Sequence, residues 1–257
     1  MVEARQVTFK AGNQIILHET SVLFDKGKFH VIMGSNGAGK STLMRLLAGD
    51  ENPSSGKIFI ENKPIALFSR RELAIKRSVL SQQYNISFPH TVHEIVTMGR
   101  YPYFSGRPTT EDLNTIATSM EIMDVAHLAG RQYQTLSGGE AQKVQMARVL
   151  AQIDPGSYGE PKVLFLDEPV SHLDIRFQYQ LLEAAKKLCE RNITVIAILH
   201  DINLAMTFGE RIVFLKSGKL IYDLPGPRKV SAEIIQEVFD MPARIIYPGE
   251  HVPVVIF

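Results

Sequence analysis

Residues Gly34-Ser35-Asn36-Gly37-Ala38-Gly39-Lys40-Ser41-Thr42 constrain this chain more than any other stretch. They fit the pattern G-x-x-x-x-G-K-[ST]. A strand-like apolar run, Phe29-His30-Val31-Ile32-Met33, stands directly before them. A helix-like run from Ser41 to Ala48, closed by Gly49, follows. In that setting the glycines let backbone N–H groups turn inward around phosphate oxygens. The helix N-terminus adds the positive end of its dipole. Lys40 can reach β- and γ-phosphates, and the Ser41 hydroxyl can coordinate Mg²⁺. The same letters also serve a glycine-rich turn that merely caps a helix. The strand–loop–helix order favours a nucleoside triphosphate site.

The rest of the chain reads as an α/β protein with a helical insert. Val163 to Leu166 and Val195 to Leu199 are short continuous apolar runs, as in buried parallel strands, with a helical stretch at about Phe177 to Arg191 between them. Residues 1–33 read as strands with a turn at Lys26-Gly27-Lys28. Ile58-Phe59-Ile60 and Ser78 to Gln83 are further strand candidates. From about Thr91 to Gln152 the pattern is mostly helical, opening on a capping box of Thr91 and Glu94. The breaker-dense stretch Asp154 to Pro161 reads as a loop, and Ser231 to Phe239 as a helix in the tail. With 45% hydrophobic and 21% charged residues, the chain can build an ordinary globular core. A net charge of +1 argues against a strong whole-surface attraction to nucleic acid or anionic lipid. Cys189 stands alone, so no intrachain disulfide forms and a reducing compartment is the simpler setting. Residues 1–10 lack the apolar stretch of a signal peptide. The run Ile193 to Leu199 is far too short to span a bilayer. The expectation is a soluble, cytoplasmic protein that works at a membrane, if at all, through a partner.

Two further motifs bear on the phosphate site. Val163-Leu164-Phe165-Leu166-Asp167-Glu168 is an apolar strand ending in two carboxylates. Asp167 is placed to hold the Mg²⁺ shell, and Glu168 to orient or deprotonate a water attacking the γ-phosphate. Alone, such a pair equally describes solvated turn residues. Leu136-Ser137-Gly138-Gly139-Glu140 offers Ser137 and Glu140 as a capping box for a helix from Ala141 to Gln152, with Val144, Ala147 and Ala151 as its apolar stripe. Its serine and paired glycines at a helix N-terminus also make a second anion site. A γ-phosphate gripped by the first loop of one copy and this loop of another would place ATP at an interface.

The run Leu136 to Glu140 resembles the signature of the ATP-binding cassette (ABC) ATPases. The other marks of that family follow in order. Gln82 resembles the Q-loop glutamine, Ser171-His172-Leu173-Asp174 the D-loop, and His200 the switch histidine. Taken alone, a histidine at a strand end is also satisfied by neighbouring hydrogen bonds. The resemblance covers essentially the whole chain. It implies a P-loop core with a parallel sheet, an N-terminal antiparallel β-subdomain and an inserted α-helical subdomain. Residues 1–257 would be one nucleotide-binding domain, with its core at about 1–84 and 161–257 and the helical subdomain at about 85–160. It further implies that ATP and Mg²⁺ are bound by Gly34 to Thr42, with Ser41, Gln82 and Asp167 at the metal. Glu168 would be the base. His200 would contact the γ-phosphate. Gln82 would touch Mg²⁺ and the attacking water. Ser137, Gly138 and Gly139 would hold the partner copy's γ-phosphate, and Asp174 would link the two ATP sites. Three departures stand out. Ala11 occupies the place of the usual adenine-stacking aromatic, with Phe9 nearby. Val170 replaces a hydroxyl residue, and His172 a small one.

Within that family, the stretch Tyr84 to Pro102 resembles importers of metal chelates. Phe88-Pro89-His90-Thr91-Val92 and the insert Ile153 to Pro161 are most similar to haem-importer ATPases. The partners implied are a second copy of the chain, a membrane permease in two copies, and a periplasmic or surface cargo-binding protein. The place implied is the cytoplasmic face of the inner membrane. A ferric-siderophore or cobalamin importer is the nearest alternative. A soluble ABC ATPase of nucleic acid or ribosomes is the alternative from another class, and the chain shows neither the coiled-coil insert nor the second cassette typical of it. His90 and His93 are read as surface or packed histidines rather than haem or metal ligands. Arg70-Arg71 and Lys76-Arg77 are read as a solvated basic face.

Overall fold

A computed structural model of the chain describes residues 2–81, 86, 88–153, 161–171, 173–249 and 252–257. The first strands, β1 (Val2–Ala11) and β2 (Gln14–Phe24), pair antiparallel. They join β4 (Ser55–Ile60) and β5 (Lys63–Pro64) in a sheet ordered β2-β1-β4-β5. Val2, Ala4, Val7, Leu17, Val22 and Phe24 point inward from it.

The second sheet has the order β10-β9-β3-β8-β7-β6. Here β3 (Phe29–Met33), β6 (Arg77–Leu80), β7 (Lys162–Asp167), β8 (Ile193–Ile198) and β9 (Arg211–Lys216) run parallel, and β10 (Lys219–Leu224) closes the edge antiparallel. Every residue of β3 and β8 is buried, as expected of parallel strands covered on both faces. Alternate side chains feed two cores. Ile32, Phe165, Ile196 and Ile198 face the antiparallel sheet, with α1 (Lys40–Ala48) packed between through Leu43, Met44, Leu46 and Leu47. Val31, Met33, Leu164, Leu166 and Val195 face the other helices.

Those helices are α3 (Val92–Met98), α4 (Thr110–Ile122), α5 (Gly138–Ile153), α6 (Ile175–Glu190), α7 (Ile202–Phe208) and α8 (Ala232–Phe239). Short α2 (Arg70–Lys76) leads into β6, and β11 (Arg244–Ile246) pairs β12 (Val254–Ile256) near the end. The helical run from Thr91 is thus three helices. Pro102, Gly106 and Pro108 separate the first two. The Thr91–Glu94 box is present, with the Glu94 carboxylate accepting from Thr91 N at 2.7 Å.

Several boundaries and one surface differ from the sequence reading. Helix α5 opens at Gly138 rather than Ala141, since Ser137 is the capping residue and glycines fill the first turn. Helix α6 opens at Ile175, set by the Asp174 cap. Strand β6 ends at Leu80. The β9–β10 hairpin and α2 are additions. Arg70 and Arg71 are exposed, but Lys76 and Arg77 are largely covered. Lys76 meets Glu61 at 3.2 Å and Arg77 meets Asp50 at 2.6 Å, so acids from remote turns replace solvent.

A buried polar knot ties the helical layer to the start of β7. Arg100 and Asp112 form an ion pair at 2.9 Å with both side chains 4% exposed. Burial pushes the Asp112 carboxyl up, but hydrogen bonds from Thr109 and Arg100 outweigh it and hold it below the usual range. The Arg100 guanidinium lies over Tyr103 at 3.9 Å, and Lys162 Nζ donates to Tyr103 Oη at 2.8 Å.

Candidate nucleotide site

The parallel strands end in register. Ile32 lies beside Ile198, and Ile198 beside Asp167. The turns after β3, β7 and β8 therefore share one edge, the carboxyl edge where α/β sheets place ligands. Gly34 leaves β3 at φ 147°, and a Cβ there would stand 2.1 Å from the Leu215 carbonyl oxygen of β9. Only glycine fits that approach. Gly39 caps α1 at φ 95° with no side-chain cap, and the first turn of α1 holds no acid. The amides that open α1 thus lack a side-chain acceptor and suit an anion. The neighbouring hairpin braces this loop, with Gly218 N donating to Ala38 O at 3.1 Å and His18 N to Gly218 O at 2.8 Å.

Lys40 curls back over the loop and donates to Gly34 O at 2.9 Å and Ser35 O at 3.0 Å. Burial pushes its pKa down, and the nearby Glu168 and Asp167 oppose that shift. The Ser41 hydroxyl donates to Asp167 Oδ1 at 3.2 Å. Burial raises the Asp167 carboxyl. The Ser41 hydrogen bond works against this, and Glu168 adds to it. A hydroxyl and a half-buried carboxylate make a hard-oxygen donor pair, so these residues fit Mg²⁺.

Glu168 follows at φ 51°, a left-handed conformation uncommon for a side-chain-bearing residue. Its Oε1 lies 2.6 Å from His200 Nε2. Two residues 32 positions apart thus meet because β7 and β8 are neighbours. The turn beyond Glu168 is fastened from three sides. Ser171 Oγ donates to Glu168 O at 3.0 Å, Gln178 Nε2 to Leu173 O at 3.0 Å, and Gln142 Nε2 to Pro169 O. Gln142 belongs to α5, one turn past Gly138, so the signature helix and the carboxylate turn of one chain are joined directly. Sequence reading missed Gln142 and Gln178. Their spacing within helices α5 and α6 was the available signal.

The structure thus brings together Gly34 to Thr42, Asp167, Glu168 and His200. Ser137, Gly138 and Gly139 stand elsewhere, at the start of α5. Ser137 donates from N (2.7 Å) and Oγ (2.8 Å) to Glu140 Oε2. Among the described residues no hydrogen bond links Ser137 to Gly139 with the 34–42 loop. These contacts hold the Glu140 carboxyl below its usual range, the Ser137 backbone donor most of all. Asp174 caps α6, its Oδ1 accepting from Phe177 N at 3.0 Å. Gln82 and His172 lie outside the described residues. Ala11 is exposed at the end of β1, while Phe9 packs against the inner core. Val170 packs against the helical core. His90 Nδ1 lies 3.8 Å from Glu94, and among the described residues no group of three metal-ligating side chains converges.

The ABC transporter family profile matches residues 17–171, more than half of the chain. The chain belongs to the ABC transporter family. A curated relative, the hemin import ATP-binding protein HmuV of Bradyrhizobium diazoefficiens, is 41% identical over 100% of this chain and 94% of its own length. A dimeric post-hydrolysis state of an ATP-binding cassette bound to ADP and Pi is 29% identical with a TM-score of 0.76, covering 88% of this chain and 98% of that one. An inward-facing ABC transporter described as of metal-chelate type has a TM-score of 0.80 over 99% of this chain and 96% of that one. At 23% identity that last likeness is one of fold. Cassettes of this ABC family bind nucleotide and dimerise. No helix among the described residues of this ABC protein is long and apolar enough to cross a membrane.

Proposed function

We propose that this chain is the ATP-binding and hydrolysing subunit of an importer for haem. The observation that carries the ATPase reading is the gathering of Ser41, Asp167, Glu168 and His200 at one sheet edge beside an uncapped helix N-terminus. The amides from Gly37 to Thr42 cradle the phosphates, and Lys40 turns from Gly34 O and Ser35 O to the β- and γ-oxygens. Ser41 and Asp167, with Gln82, would hold Mg²⁺, which when bound neutralises charge on the β- and γ-oxygens. Glu168 accepts a proton from the attacking water as that water bonds to the γ-phosphorus, and ADP leaves with the β–γ bridging oxygen. His200 orients the water and the γ-phosphate.

Two copies face one another so that Ser137 to Gly139 of each complete the other's site, with Asp174 bridging the pair. The chain is then one nucleotide-binding domain, core about 1–84 and 161–257 with a helical subdomain about 85–160. It docks on two permease copies at the cytoplasmic face of the inner membrane, and a periplasmic or surface binding protein delivers the cargo. ATP must bind the closed pair better than the open one to drive the cycle. Full-length identity of 41% to a hemin import ATP-binding protein supports haem over a ferric siderophore or cobalamin. The test is reconstitution with the neighbouring permease in vesicles, measuring ATP-dependent uptake of all three. Uptake of haem is expected. Uptake of a siderophore without haem overturns the cargo, and ATPase activity indifferent to any permease overturns the importer.

A further inference from the structure

The last two strands leave an apolar face with nothing on it. In the β11–β12 ribbon Ile245 pairs Val255, flanked by Arg244–Ile256 and Ile246–Val254. Ile245 and Val255 turn inward, and Val255, 3% exposed, joins the helical core. The alternation therefore sends Ile246, Val254 and Ile256 outward, at 50%, 40% and 48% exposure. Tyr247 and Phe257, the residues just past each strand, are exposed as well, at 53% and 60%. Among the described residues from 244 to 257, Arg244 is the single charge. Contiguous exposed apolar side chains of this kind mark a contact surface.

Where the ribbon is anchored says which contact. Asn203 grips the backbone of Val255 twice, donating from Nδ2 to Val255 O at 3.1 Å and accepting from Val255 N at 2.8 Å. Asn203 is in the first turn of α7, and the cap of that helix, Asp201, directly follows His200. The ribbon is thus fastened to the turn that carries His200, on the edge where nucleotide would lie. We infer that the β11–β12 ribbon is a second contact between two copies of this chain, continuous with the face that closes over ATP. This rests on the reading above that two copies sandwich nucleotide. Arg244, opposite Ile256, lies at the end of that outward face, and Ile246, Val254 and Ile256 beside it carry no charge, which suits a twofold contact where each surface meets its own kind. A ribbon of three residues per strand is small beside the roughly 800 Å² per partner of a stable complex. It therefore strengthens the ATP-closed pair and does not hold one without ATP.

The test uses the full chain carrying Glu168→Gln, with ATP and Mg²⁺, and reads the dimer dissociation constant by sedimentation. Adding Ile246→Glu and Ile256→Glu is expected to raise that constant about tenfold or more. Nucleotide affinity of the dilute chain and its thermal midpoint should stay put. Ile246→Thr with Ile256→Thr, which keeps strand-favouring β-branched residues, should weaken the pair less. Leu67→Glu, an exposed apolar position far along the chain, should change nothing. Unaltered dimer affinity in both ribbon variants overturns the inference alone. Normal dimers that no longer bind the permease overturn it in favour of the permease as occupant. A parent chain that stays monomeric with ATP removes the sandwich, and the ribbon's partner with it.

Discussion

Helices α1 and α5 begin alike in sequence, each at glycines with a serine close by, and they end up in opposite states. Helix α1 opens with Gly39 and no side-chain cap. Helix α5 opens on a closed ring in which Ser137 and Glu140 satisfy each other. Helices α2, α3 and α4 resemble α5, each with its own capping box. A helix start with glycine in place of a capping side chain gives up roughly a few tenths of a kcal/mol, and α1 is placed where phosphate would restore it. At α5 the Glu140 carboxylate already accepts from Ser137 N and Oγ. On the proposal that this end meets a partner copy's nucleotide, a phosphate reaching Ser137 must displace that carboxylate, so α1 would be a standing receptor and α5 a conditional one.

The largest effect that could break this division is at Glu168. Glu168→Gln is expected to slow turnover at least ~100-fold while ATP still binds. Near-normal turnover in steady-state assays would remove the chemistry from this edge. Next is Lys40→Ala, which deletes a charge-assisted contact of roughly 1.5–3 kcal/mol. Titration with a fluorescent nucleotide should show affinity down about 10- to 100-fold. Ser137→Ala should lower the nucleotide-free chain's unfolding free energy by about 1 kcal/mol, as loss of a cap does. It should leave nucleotide affinity of the dilute chain alone, and weakened binding there would mean the α5 end is a standing receptor too. The smallest effect concerns pH. Because burial holds the folded-state pKa of Asp167 above its unfolded value, its contribution to stability is full below the unfolded pKa and is lost as pH rises through the folded one. Asp167→Asn should therefore make the nucleotide-free chain slightly more resistant to urea at pH 7 than the parent, with the gain fading toward pH 4. A parent stabilised by ionising Asp167 would contradict burial as the main influence on that carboxyl.

What could be read from the sequence was whatever chemistry compresses into a few consecutive residues. The loop Gly34 to Thr42, the strand ending at Asp167-Glu168 and the Ser137–Glu140 cap are each contiguous, and each lies where its pattern put it. What could not be read depends on which strands become neighbours. The Glu168–His200 contact needs β7 beside β8, and the Gln142 bond to Pro169 needs α5 beside the carboxylate turn. Lys76 and Arg77 look like a solvated pair until Glu61 and Asp50 arrive from other turns. The β9–β10 hairpin did leave a trace. Ile212 to Leu215 is apolar, and Ser217-Gly218, both at positive φ, form its turn.

Lys40 has a consequence for timing. By donating to Gly34 O and Ser35 O it ties its own loop together. Arrival of nucleotide then need not wait for a segment to fold, and little entropy is spent on ordering at that moment. On the proposed roles, ADP leaves Lys40 and His200 with part of their contacts unmade, so a single chain already senses the third phosphate, and a partner copy's Ser137 to Gly139 would sense it again.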